Sequence, residues 1–208
     1  MDFDVARAGL IHQLDAEIED KLVLSAMSRV PRELFIPPEL AHSAYDNIPL
    51  PIGLNQTISQ PYIVARMIEI LRNGRQLNKV LEVVAGCGYQ AAVLGQVANE
   101  VYSVERIQPL FKRATNCLKE IKAGNVILSY ADGTMGRPEI APFDGIIMAA
   151  AATHVPQALL EQLAVGGRMV LPLGVQEQFL TLIERDAKGY RESRLEPVKF
   201  VPILTGKA

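Results

Sequence analysis

One stretch limits the possible folds more than any other: Val80-Leu-Glu-Val-Val-Ala-Gly-Cys-Gly88, an apolar run that meets a carboxylate and then a glycine-bearing turn. A strand feeding straight into a helix through such a turn is how α/β proteins lay a nucleotide-like cofactor across the carboxyl ends of a sheet. About twenty residues on, Val101-Tyr-Ser-Val104 ends in Glu105, an acid placed to accept hydrogen bonds from two ribose hydroxyls. Turn and distal acid together point to a nucleoside cofactor. Read singly, Gly86-Cys-Gly88 is equally an ordinary strand-to-helix turn and Glu105-Arg106 equally a solvated strand end. Val84 stands where a further glycine is expected, and a β-branched residue there narrows the pocket or restrains φ. Val84→Gly is therefore expected to tighten cofactor binding, at a small stability cost from the backbone entropy of glycine.

The periodicity around this stretch sets the architecture. Short apolar runs at Val80–Val83, Val101–Val104, Val126–Leu128, Gly145–Met148 and Met169–Leu171 alternate with helix-length segments, the pattern of a doubly wound, Rossmann-like α/β sheet that is mostly parallel. Before it, apolar residues recur at helical intervals from Val5 to Asp20 and again at Leu22, Ala26 and Met27, giving a small helical amino-terminal piece. Six prolines between Pro31 and Pro61 then exclude long regular structure, and a loop of that kind is commonly functional or a wrapping arm. Tyr62–Leu71 has helical spacing and is stopped by Asn73-Gly74. At the other end Phe179–Ile183, a turn through Asp186–Gly189 and Pro197–Ile203 predict a terminal hairpin. The expected organisation is one domain over 1–208, with helices and a substrate loop in 1–75, a cofactor-binding core in 76–175 and the hairpin in 176–208.

Composition excludes several function classes. A net charge of −2 without a Lys/Arg block argues against a nucleic-acid groove, which needs clustered positive charge to displace counterions. Cys87 and Cys117, with His12, His42 and His154, have neither disulfide-framework nor metal-ligand spacing, so no metal site is expected. Acids at Asp2 and Asp4 replace a basic leader, and no apolar run approaches the roughly 20 residues of a membrane span. The expectation is a cytoplasmic protein that engages neither membrane nor nucleic acid.

Several further blocks carry a resemblance: Val30-Pro-Arg-Glu-Leu-Phe35, Leu50-Pro-Ile-Gly53, Gln56-Thr-Ile-Ser-Gln-Pro-Tyr62, Gly88-Tyr-Gln-Ala-Ala92, Tyr102-Ser-Val-Glu-Arg106 and Phe200-Val-Pro202. In order and over nearly the whole length, the chain resembles the bacterial-type protein-L-isoaspartate O-methyltransferases, which use S-adenosyl-L-methionine. The Gln56–Tyr62 block discriminates most, because other class I methyltransferases share the glycine turn and acid but lack it. The resemblance implies that Glu82 begins the cofactor loop, Gly86 and Gly88 shape it, Glu105 binds ribose and Asp132-Gly133 lies along the adenine. It implies catalytic roles for Ser59 and Thr57, substrate contacts from Ile58, Gln60 and Val201, and a monomer acting on isoaspartyl-containing proteins and peptides. The ester so formed collapses to a succinimide that reopens partly to aspartate. The chain departs from the family pattern at Val84, at Ala85-Gly86-Cys87 where Thr-Gly-Ser is common, at Ala131, Ala152 and Val165.

These residue types suit the chemistry. A sulfonium methyl is activated by its cationic leaving group, and a carboxylate with a pKa near ~4 is ionised at neutral pH, so positioning is the main task. Thr57 and Ser59 then hold one carboxylate oxygen while the other points at the methyl; equally, such hydroxyls serve as ordinary start signals for a helix at Pro61. Three alternatives remain: a methyltransferase for another carboxylate, a degenerate non-catalytic relative weakened by Val84, and a nicotinamide enzyme, which the incomplete glycine spacing disfavours.

Overall fold

Each amino-terminal helix begins where a side chain satisfies its free N–H groups. In the computed structural model, which describes residues 2–208, α1 (Phe3–Leu14) is capped by Asp2, whose carboxylate accepts from the Asp4 and Val5 amides at 3.0 and 3.2 Å. Asp20 does the same for α2 (Lys21–Arg29). The expected helix over 5–20 is thus shorter: it stops at Leu14, and Ile18 is buried from the connection that leads to the Asp20 cap.

The proline-rich stretch holds two 3-10 turns, Arg32–Phe35 and Pro38–Ser43, and a small antiparallel hairpin of β1 (Leu50–Gly53) and β2 (Gln56–Ile58). Then α3 (Pro61–Arg72) starts with proline in its first turn and ends at Asn73, which is left-handed at φ 46°. The following elements are β3 (Leu77–Val83), α4 (Tyr89–Leu94), β4 (Ala98–Glu105), α5 (Gln108–Glu120), β5 (Val126–Tyr130), β6 (Phe143–Met148), α6 (Gln157–Gln162), β7 (Leu163–Leu173), β8 (Gln178–Asp186) and β9 (Gly189–Val198).

Among the described residues the last seven strands form one sheet in the order β5-β4-β3-β6-β7-β8-β9. β3 to β7 pair in parallel, as the apolar runs predicted, and β8 and β9 extend the sheet antiparallel, with β9 at its edge. One face carries Val80, Val101, Ile147 and Val170 against α2, α3 and α4; the other carries Leu81, Val83, Ile146, Met148 and Met169 against α6. The chain winds outward from β3 to β5, returns, and continues from β6 to β9. The order therefore reverses between β3 and β6, and a crevice opens outside their carboxyl ends.

The first strand and the turn of the terminal hairpin fall where expected, but its second strand lies earlier than Pro197–Ile203. Its turn follows Asp186, where the side chain accepts from Lys188 and Gly189 amides, and β9 ends at Val198. Residues 199–203 are not a strand. They cross the end of β6, with a single bridge between Pro202 and Ala151, and Pro202 cannot donate to a ladder.

Candidate active site

The crevice between β3 and β6 holds a cavity of about 450 Å³, a size suited to a small organic ligand. Three segments meet there: the β2–α3 loop with Thr57, Ile58, Ser59 and Gln60; the turn after β3 with Val84, Gly86 and Cys87; and the crossing segment with Lys199, Phe200 and Val201. All five residues expected to position or contact substrate, including Val201, therefore share one cavity with Gly86. Among the described residues neither the Thr57 nor the Ser59 hydroxyl takes part in a hydrogen bond, and α3 has no side-chain cap. The helix-start reading of these hydroxyls is thus without a bond to support it, and both remain free for a ligand.

The turn after β3 has Gly86 at φ 57° and Gly88 at φ 89°, which glycine adopts without steric cost. Val84 takes φ 71°, a left-handed conformation that a β-branched residue rarely adopts. Its amide and that of Ala85 both donate to the Val104 carbonyl at 3.0 Å, which holds the strained turn against β4. The side chain lines the cavity, and the backbone adopts the left-handed region despite the β-branch, so the valine does not bar the turn from the conformation glycine favours.

Glu82, Gly88, Glu105, Asp132 and Gly133 do not line the cavity. Glu82 and Ser103 are cross-strand partners, and the Ser103 hydroxyl donates to the fully buried Glu82 carboxyl. Burial pushes that carboxyl up to about 8, against the opposing effect of the serine and with a further push from Glu105. Glu105 is 1 % exposed, accepting from the Gly86 amide at 2.8 Å and the Ile107 amide at 2.7 Å. Burial raises it too, opposed by those amides. Gly133 packs so closely that a Cβ would lie 2.6 Å from Val83 Cγ1, which explains the glycine without any ligand.

Asp132 accepts from Thr134 through one oxygen and from the Gly206 amide, at 2.7 Å, through the other. Burial opposes ionisation there, but the hydrogen bonds from Gly206 and Thr134 outweigh it and hold the carboxyl below its ordinary range. Residues 206–208 continue along the ends of β4 and β5: the Ala208 amide donates to the Arg106 carbonyl at 2.8 Å and Arg106 Nε to the Gly206 carbonyl at 2.7 Å. Sequence reasoning missed this strap, since Leu204–Ala208 has no periodicity. Lys199, Tyr89 and Gln90 also line the cavity without having been singled out, as does Phe200, which adjoins the expected contact Val201.

A nucleoside cofactor with a charged tail fits this setting. The glycine turn ends a central parallel strand at the switch point, an acid is hydrogen-bonded to that turn, and the adjoining cavity has the volume for the reactive end. Cys87 offers no competing chemistry, because burial pushes its thiol up to about 11 and keeps it protonated.

The model of the family described as protein-L-isoaspartate(D-aspartate) O-methyltransferase matches residues 6–208. A protein-L-isoaspartate O-methyltransferase of Methylobacillus flagellatus is 60% identical over 193 residues, covering 91% of this chain and 86% of the relative. One from an Azoarcus strain is 58% identical over 203 residues, covering 97% and 94%. Among solved structures, a protein-L-isoaspartate O-methyltransferase superposes with a TM-score of 0.84 at 26% identity, covering 94% of this chain and 65% of that one. A Plasmodium falciparum structure described as this enzyme in complex with S-adenosyl-L-homocysteine gives a TM-score of 0.81 at 24% identity, covering 94% and 97%, and bears on the fold. Matched over nearly its whole length by the family model and by bacterial relatives at more than half identity, this chain belongs to the protein-L-isoaspartate O-methyltransferase family.

Proposed function

We propose that this chain esterifies the free carboxylate of L-isoaspartyl residues in damaged proteins and peptides, using S-adenosyl-L-methionine as methyl donor. The observation that carries the reading is the meeting of the unbonded Ser59 and Thr57 hydroxyls with the glycine turn in one cavity. S-adenosyl-L-methionine, when bound, supplies a methyl group already activated by a cationic sulfur. The chain's own residues have a positioning task. The substrate carboxylate arrives ionised and needs no general base; the Ser59 and Thr57 hydroxyls donate to one of its oxygens and leave the other as nucleophile, an alignment worth several kcal/mol of barrier. Ile58, between those hydroxyls in sequence, Gln60 beside them, and Val201 from the crossing segment line the same cavity and are the proposed contacts to the peptide.

For the cofactor, Gly86 and Gly88 give the turn its shape, Glu105 braces it and faces the ribose, and Asp132-Gly133 stands on the adenine side. Glu82, protonated in the core, supports the turn from beneath. The net charge of −2 without a Lys/Arg block supports a protein that does not engage nucleic acid, and we take a cytoplasmic monomer as the accompanying proposal. No helix among the described residues is long and apolar enough to cross a bilayer.

The test of the reaction class is the bond that is made. Label transferred from methyl-labelled S-adenosyl-L-methionine to an isoaspartyl peptide should leave as volatile methanol in mild base, as a carboxyl ester requires. Label that survives base would put the methyl on nitrogen and overturn the reading. No binding of S-adenosyl-L-homocysteine by calorimetry would favour a degenerate, non-catalytic family member, for which the strained Val84 is the supporting observation.

A further inference from the structure

Arg32 is the least expected residue around the cavity. It begins the 3-10 turn after α2 and is 0 % exposed, yet no ion pair among the described residues involves it. Its Nη2 donates to the Ser59 carbonyl at 2.9 Å, while Nε and Nη1 have no protein partner. The guanidinium carbon stands 4.9 Å from the ring centroid of Tyr89, the residue that follows Gly88 and lines the same cavity. The cation therefore sits directly behind the cavity wall, bonded to the substrate loop on one side and stacked on the cofactor turn on the other. A buried charge without a counter-ion is costly, and an apolar residue of similar volume would be cheaper.

The surrounding groups do not neutralise it. Glu33, its sequence neighbour, is held by Arg7 at 3.2 Å and by the Tyr45 hydroxyl. Cys87 and Tyr89 are both pushed up by burial and remain neutral. Arg113, on α5, is a second cation and bonds the Ile52 and Phe35 carbonyls at 3.2 and 3.0 Å. Lys199 is the cation on the cavity lining itself, but it is exposed, where solvent screens it.

We propose that Arg32 is a positioning and selectivity residue: it fixes the backbone of Ser59, and its unpaired buried charge makes the cavity prefer an ionised carboxylate to a neutral group of the same shape. The inference rests on the assignment of isoaspartyl carboxylate as substrate. Because the methyl ester is neutral, the same charge favours substrate over product and so assists product release.

The test compares two peptides, an isoaspartyl peptide and its analogue with a carboxamide in place of the free carboxylate, by calorimetry with S-adenosyl-L-homocysteine present. The wild type should bind the carboxylate peptide at least about tenfold more tightly, and Arg32→Met should reduce that ratio about tenfold while S-adenosyl-L-homocysteine affinity changes less than about twofold. Arg32→Lys should keep most of the ratio, and Lys199→Met, which removes the exposed cation of the lining, should lower it less than Arg32→Met does. An unchanged ratio in folded Arg32→Met would overturn the proposal and leave Arg32 a structural residue. If Arg32→Met does not fold, carbon NMR of a carboxyl-labelled isoaspartyl peptide bound to wild type and to Lys199→Met decides the matter. Its pKa should fall below the free-peptide value in both, and an unshifted pKa would overturn the charge role. Wild-type protein that binds neither peptide would remove the isoaspartyl assignment itself, a result separable from failure of Arg32 alone.

Discussion

Three residues, Val84, Glu82 and Ser59, decide how the site behaves. Val84 holds φ 71°, a conformation that costs a non-glycine residue roughly 1–2 kcal/mol. Val84→Gly relieves that strain, but adds about 0.5–1 kcal/mol of backbone entropy and loses the half-buried packing of the side chain. These terms nearly cancel. The melting temperature should stay within a few degrees of wild type, while S-adenosyl-L-homocysteine binds more tightly; weaker binding would mean the valine packs productively on the ligand. Glu82 gives a pH dependence. The unfolded carboxyl ionises near 4.5, whereas the folded one keeps its proton up to about 8, so its contribution is fully present below pH 4.5 and is lost as pH rises to about 8. Glu82→Gln should therefore gain stability over wild type progressively across that window in chemical denaturation, and a gap independent of pH would refute the raised value. If the Ser59 hydroxyl orients the substrate carboxylate as proposed, Ser59→Ala should lower kcat/KM about tenfold or more with cofactor affinity nearly unchanged. Full activity in that variant would remove Ser59 from the mechanism.

At the scale of elements, the cofactor turn is held by its neighbours as much as by its glycines. Glu105 ties the end of β4 to the Gly86 amide and to the Ile107 amide at the start of α5. Glu105→Ala should weaken S-adenosyl-L-homocysteine about 10 to 100 fold and also cost roughly 1–3 kcal/mol of stability, because two buried amides lose a charged acceptor. Unchanged affinity in a folded variant would reject the ribose assignment. The parallel strands and α3 were legible in the sequence because buried strands are continuous apolar runs and a half-buried helix repeats every three to four residues. β9 was not, since Arg191-Glu-Ser-Arg-Leu-Glu196 is an edge strand with little apolar alternation. The β1–β2 hairpin was hidden by prolines that suggested an irregular loop, although Leu54 and Asn55 make its turn at φ 55° and 57°. Helix α1 was overextended because Ile18 keeps helical spacing while its burial comes from the connection.

For the molecule as a whole, the reversal of strand order between β3 and β6 places the cavity, and segments distant in sequence supply its walls. That explains which parts of the site could be read beforehand. The Gln56–Tyr62 block and the glycine turn are local signatures, whereas the destination of the Arg32 guanidinium and the strap over Asp132 depend on packing between segments that no local pattern relates. The proposed selectivity belongs to this scale too, because an isoaspartyl link changes both the backbone path and the place of the free carboxylate, and a cavity walled by two distant segments can respond to both. The most direct test is transfer of labelled methyl from S-adenosyl-L-methionine to a matched pair of peptides that differ only in an isoaspartyl or an ordinary aspartyl linkage. The isoaspartyl peptide should be methylated and the aspartyl peptide left essentially unlabelled. Equal labelling of the two, or none of either by protein that binds S-adenosyl-L-homocysteine, would contradict the account.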